Sequence, residues 1–192
     1  TLRRSSAASD VYKRQVYEEP TTLDFDGVTV DLIPWINAEN HDRCMEFIQN
    51  SKSLICGGHF ELDGFQVLRG VLHHGGMDPS VLSDYNLVMS GHFHNGHKKG
   101  NVHYLGTQYQ ITFSDLNDQK GFHILNTEDL SVEQIKNPDR LFVKIAYDDS
   151  DPTAIESIDL SHFEGKYVRL YVNNKQDPSL YERFLDGLYE AK

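Results

Sequence analysis

Apolar and polar residues alternate through positions 21–25 and again through 28–33, and Asp26-Gly27 between them is a strong hairpin-turn signal. Pro34 ends the second of these strands. From 38 to 50 the apolar residues Cys44, Met45, Phe47 and Ile48 share one helical face, with Asn37 or Asn40 as possible caps. Short apolar runs at 53–56 and 85–89 predict buried strands, so the order strand, helix, strand suggests an α/β layer fold. Between them the glycines at 64, 70, 75 and 76 predict loops. Strands are expected over 102–105, 109–113, 121–126 and 132–136, an antiparallel-looking set that would form a second sheet. Beyond Pro138, residues 141–147 read as a strand and 148–152 as an acidic linker. Residues 166–172 then alternate Tyr167, Arg169 and Tyr171 against Val168, Leu170 and Val172. Asp177-Pro178 opens a last helix whose buried stripe is Leu180, Tyr181, Phe184, Leu185 and Leu188.

Composition narrows the class. A chain of 192 residues, 39% hydrophobic and 24% charged, can bury the core of one domain or one and a half. No stretch approaches a membrane span and no apolar signal core follows the amino terminus, so no membrane partner and a cytoplasmic location are expected. Cys44 and Cys56 form no disulfide or metal pattern. The net charge of −11 opposes simple adhesion to nucleic acid, whose non-specific affinity comes from Lys and Arg. Residues 1–15 stand apart. Removing their four basic and one acidic residues leaves 14 basic and 28 acidic, a net of −14. This segment resembles cloning- or read-end-derived translation, or a disordered tail, more than a folded element.

Chemistry concentrates in histidines that follow strands. The run ending Ser90-Gly91-His92-Phe93-His94 places two imidazoles one residue apart; in extended chain both point the same way and can face one metal centre. A glycine at 91 lets backbone approach the site closely. In isolation, H-x-H reads better as a pair of histidines in a surface loop. A second strand-like run, however, ends in Gly57-Gly58-His59, and two strands delivering histidine at the same kind of end favour a convergent site. Of the loop pair His73-His74, His74 is a candidate substrate-phosphate contact, against the plainer reading of a solvated loop histidine. Asp63 reads as a turn residue, His97 as a loop residue, His103 as a strand-face residue, and Trp35 as core or loop packing rather than a base-stacking platform.

Gly91-His92-Phe93-His94 resembles the G-H-x-H motif of calcineurin-like metallophosphoesterases, and Gly58-His59 their upstream single-histidine motif. Residues 102–107 and 120–125 are similar to the SbcD-type branch of DNA double-strand-break repair exonucleases, with phage recombination-endonuclease small subunits the nearest likeness within it. Residues 22–27 and 31–35 add to it, and the likeness covers about 17–126. It implies a four-layer αββα metallophosphoesterase sandwich over 16–137, its amino-terminal part missing, followed by the start of a small α/β capping domain over 138–192.

The resemblance further implies two divalent metal ions, Mn²⁺ by family habit, with His59 and His92 on one and His94 on the other. Two such ions clamp a phosphodiester, and holding them together requires a bridging carboxylate. The family's D-x-H, G-D and G-N-H-D/E motifs, the last carrying the general-acid histidine, are not found. Asn40-His41-Asp42 lacks the preceding glycine and opens the predicted helix, so it reads as coincidence. The chain is thus expected to be the carboxyl-terminal part of a nuclease domain, lacking on the order of a hundred residues, inactive alone and exposing a sheet edge. Implied partners are DNA, an SbcC-like ATPase subunit and a possible homodimer, in host cytoplasm if phage-encoded. Two other readings remain: a nucleotide or phosphoprotein phosphatase of the same fold, and a non-catalytic scaffold that binds the ATPase or DNA.

Overall fold

Asp26 and Gly27 both take left-handed backbone, φ 54° and 91°, which makes the tight turn joining β1 (Thr21–Phe25) to β2 (Val28–Leu32). Phe25 pairs with Val28, and the Asp24 carboxylate accepts the Gly27 N–H at 2.7 Å. The computed structural model describes residues 15–191, so the set-apart amino-terminal segment lies, except for Gln15, outside the described residues. These residues fall into two units: those up to 107 with 121–136, and 108–120 with those from 137 onward.

In the first unit, helix α1 (His41–Asn50) returns the chain from β2 to β3 (Ile55–Gly58). A small hairpin, β4 (Gln66–Leu68) and β5 (Val71–Leu72), and a 3₁₀ turn at Pro79–Leu82 precede β6 (Leu87–Ser90). Strands β7 (His97–Lys99), β8 (Val102–Tyr104), β9 (Gly121–Leu125) and β10 (Val132–Lys136) follow. The main sheet runs β1-β2-β3-β6-β8-β7, with β2, β3, β6 and β8 parallel and antiparallel strands at both edges. Sequence alternation assigned 102–105 to a second sheet. Instead β8 pairs with β6, Met89 opposite His103. Alternation reveals which face of a strand is buried, not which strand it joins.

Alternating side chains of these strands enter two cores. Cys56 and Val88 join Cys44 and Ile48 of α1 on one face; Val30, Ile55 and Leu87 pack with Leu125, Leu130 and Val132 of the β9–β10 hairpin on the other. The unit is therefore mixed α/β, with helix, central mixed sheet and hairpin stacked in that order.

Asp31 sits on the α1 side, completely buried. Its carboxylate accepts hydrogen bonds from the hydroxyls of Thr22 (2.6 Å), Ser53 (2.7 Å), Tyr85 (2.8 Å) and Ser51, the residue that follows α1. Burial alone raises a carboxyl pKa, but these four donors outweigh it and hold Asp31 below the usual range. Burial and the Asp31 charge together push the neighbouring Cys56 thiol up to about 12, which keeps it an inert packing group.

The second unit is built on two parallel strands, β11 (Phe142–Asp148) and β12 (Tyr167–Asn174), with short α2 (Pro152–Glu156) between them and α3 (Pro178–Glu190) after. Tyr147, Ile155, Leu180 and Phe184 form its core, two of them from the stripe anticipated for the last helix. The acidic stretch 148–152 is a set of caps rather than a linker. Asp151 accepts the Thr153 and Ala154 N–H groups at the start of α2, and Asp149 accepts those of Gln176 and Asp177. Residues 109–113, expected as a strand, are irregular. Gln110 Oε1 accepts the Leu141 and Phe142 N–H groups, and Asp115 accepts those of Ile111 and Thr112, so side chains replace the ladder. Lys120 completes the arrangement with a buried ion pair to Asp115 at 3.0 Å.

Candidate metal centre

Strands β3 and β6 are parallel neighbours with Gly58 opposite Ser90, so both open at the same end of the sheet. Gly91 N–H donates to Gly58 O at 3.0 Å, and His59 and His92 leave the sheet side by side. Their ring centroids are 5.3 Å apart, edge to face. His92 has φ 87°, a left-handed conformation uncommon outside glycine and costing on the order of 1–3 kcal/mol. The extended-chain argument for pairing His92 with His94 therefore does not describe this loop, because the strand ends at Ser90.

Gly91 is required by space. A Cβ there would lie 2.7 Å from His59 Nδ1, inside van der Waals contact. The segment after His59 is fastened from beneath. Ser90 Oγ accepts the Phe60 N–H at 3.0 Å; Tyr104 Oη donates to Phe60 O at 2.8 Å and accepts the Leu62 N–H at 3.1 Å. Burial raises the Tyr104 pKa to about 12, so its hydroxyl keeps the donating proton.

Glu61 extends from this segment towards two imidazoles. One oxygen lies 2.8 Å from His73 Nε2 and the other 4.0 Å from His92 Nε2. His73 Nε2 is buried and the Glu61 approach is not aligned as a hydrogen bond, leaving this nitrogen without a hydrogen-bond partner. Burial lowers the His92 pKa; Glu61 opposes the shift, while His59, His73 and His94 add to it as like charges. His92 is thus held in the neutral form that ligates metals. The Trp35 ring lies 5.3 Å from His59 and 5.5 Å from His92, tilted against both. A cavity of about 370 Å³ opens beside them, lined by Trp35, Ile36, His41, His59, Glu61 and Met77 among others.

The structure thus brings His59 and His92 together and places His94 near enough to influence His92. His74 is exposed, with its ring nitrogen 3.7 Å from Asp63, while Asp63 accepts the Gly75 N–H and so acts as a turn residue. His97 stacks on Tyr104, and His103 lies half-buried on β8. Trp35 is 50% exposed, not core. Glu61 was not singled out from sequence, and His73 only as half of a loop pair, while Trp35 was expected as core or loop packing. The signal for Glu61 was its position two residues after His59, the spacing already noted for His92 and His94. Among the described residues, no three His, Cys, Asp or Glu side chains are arranged to hold a metal ion as they stand.

No known protein-family model matches the chain. It is similar to the protein named Exonuclease subunit 1 of Enterobacteria phage T4, 44% identical over 123 residues. That match covers 64% of this chain and 36% of the phage protein, so the chain spans about a third of its relative's length. Among the described residues no helix is long and apolar enough to cross a membrane.

Proposed function

We propose that this chain is part of a phage-type, metal-dependent DNA exonuclease or endonuclease subunit that hydrolyses phosphodiesters in recombination and double-strand-break repair. The observation that carries the reading is the meeting of His59 and His92 at the ends of two adjacent parallel strands, where α/β sheets bind their ligands. Likeness to an exonuclease subunit supports it. The stacking of helix, mixed sheet and hairpin suits the larger four-layer metallophosphoesterase sandwich, and the second unit suits its capping domain.

The residues present fit divalent cations in chemical type: a neutral His92, a carboxylate at Glu61 and, 2.8 Å from it, the buried His73 Nε2. His59 and His92 would hold one ion and His94 the second, both Mn²⁺ on this reading. Bound cations supply charge stabilisation at the phosphodiester and lower the pKa of coordinated water. The chain's own part is to present His92 as the neutral imidazole and to hold the loops that carry His59 and His92. His92 stays neutral through burial, and Ser90 and Tyr104 hold the His59 segment. With net charge −11, DNA affinity rests on those cations and on a partner, for which an SbcC-like ATPase and a second copy of the subunit are proposed.

Calorimetric titration with Mn²⁺ tests the site directly. The 192-residue chain is expected to bind Mn²⁺, and His59→Ala and His92→Ala each to weaken it by at least tenfold. With any upstream coding sequence restored, Mn²⁺-dependent digestion of linear duplex DNA should appear and be lost in His94→Ala. No Mn²⁺ binding, or binding indifferent to both alanine variants, would sink the reading.

A further inference from the structure

We propose that Trp35 is a nucleobase-stacking residue, and that the cavity beside it takes the terminal nucleotide of a nucleic-acid strand. The inference rests on the nuclease reading above for the nature of the substrate and extends it to a residue that positions the base. Trp35 is the chain's single tryptophan. Half its surface is exposed although its ring touches both imidazoles of the candidate centre.

That exposure is built rather than incidental. The buried side chain of Asn40, at the amino end of α1, donates through Nδ2 to Trp35 O at 2.9 Å and accepts the Asn37 N–H at 2.8 Å. The same amide that could have capped the helix thus fixes the loop carrying the indole. A rigid loop presenting a large aromatic ring over a cavity is a preorganised platform.

The walls match an amphipathic ligand. Trp35, Ile36 and Met77 offer an apolar surface, while His41, His59 and Glu61 supply the polar one, around about 370 Å³, within the range of small-ligand sites. A nucleotide divides in the same way, into a flat base and a phosphate. Glu61 repels a bare phosphate, so the phosphate would belong on the imidazole side, where bound cations would offset that charge, and the base with Trp35. Stacking on an aromatic ring accepts any base, which suits an enzyme that degrades strands without regard to sequence.

The test compares dAMP with 2-deoxyribose 5-phosphate, which lacks the base, by calorimetry on the full chain with Mn²⁺ present. Stacking predicts roughly 5- to 150-fold tighter binding of dAMP. Trp35→Ala should remove that difference, Trp35→Phe should keep most of it, and wild-type tryptophan fluorescence should change at saturation with dAMP. Equal affinities for the two ligands, no binding of dAMP, or discrimination that survives Trp35→Ala each overturn the proposal. The Mn²⁺ isotherm separates this from the nuclease reading. Mn²⁺ binding without base discrimination removes the stacking role alone, whereas base discrimination without Mn²⁺ binding removes the metal reading and leaves the platform.

Discussion

Gly91→Ala is the smallest change that should damage the candidate centre without replacing any ligand. The new methyl group would start 2.7 Å from His59 Nδ1 and 3.2 Å from Cε1, against an ordinary contact of about 3.5–4 Å. The imidazole must therefore withdraw by on the order of an ångström. It cannot do so freely, because the rings of Trp35 and His92 flank it at 5.3 Å each. Overpacking of this kind costs about 1–3 kcal/mol, and an ångström of misplacement at a reacting or ligating group costs on the order of a hundredfold. Mn²⁺ affinity should fall by ten- to a hundredfold, roughly, while the unfolding midpoint drops only modestly. Gly27→Ala serves as control: unlike Gly91, Gly27 has left-handed backbone, φ 91°, but a Cβ there meets nothing within 4 Å, so the change should lower stability slightly and leave Mn²⁺ binding unchanged. If Gly91→Ala binds Mn²⁺ as well as wild type and leaves Trp35 fluorescence unaltered, the claim that this glycine makes room for His59 is wrong.

Asp31→Ala removes an acceptor shared by four hydroxyls and should cost about 3 kcal/mol, read by urea denaturation at pH 7; a cost under half that would mean the hydroxyls find other partners. Because the Asp31 pKa is lowered in the fold, its contribution is complete above its unfolded value of about 3.9 and is lost as pH falls through the lower folded value. Histidine gives a separate, earlier loss. Burial, with Lys98 and His123 as like charges, lowers the His103 pKa, so the unfolded chain takes up protons first and stability should decline as pH falls below about 6.5. Denaturation midpoints at pH 7.5 and 5.5 should differ less in His103→Gln than in wild type, and an unchanged difference would remove His103 from the account.

Much of the local structure was legible because it depends on neighbours in sequence. Asp26-Gly27 specifies its own turn, and the stripe from Leu180 to Leu188 specifies the buried face of α3. What could not be read depends on partners far along the chain. Gln110 leaves its expected strand because its amide finds Leu141 and Phe142, about thirty positions away. Strand β8 joins β6 through pairing that alternation does not encode. At the candidate centre, glycine and histidine punctuation marked the loops of His59 and His92. The left-handed turn at His92, the approach of Glu61 and the outward Trp35 needed coordinates.

The Asp31 cluster lies where α1 ends, while Asn40 and Trp35 mark where α1 begins, beside the imidazoles. One helix thus spans from an anchor to a workplace. The exposed side chains at the cavity, Trp35 and His41, can be exchanged to retune what is gripped there with little risk to the scaffold. Changes at Thr22, Ser51, Ser53 or Tyr85 would instead loosen the footing and reach the distant end as lost alignment. Efforts to redesign this molecule should leave the first group open to variation and hold the second constant.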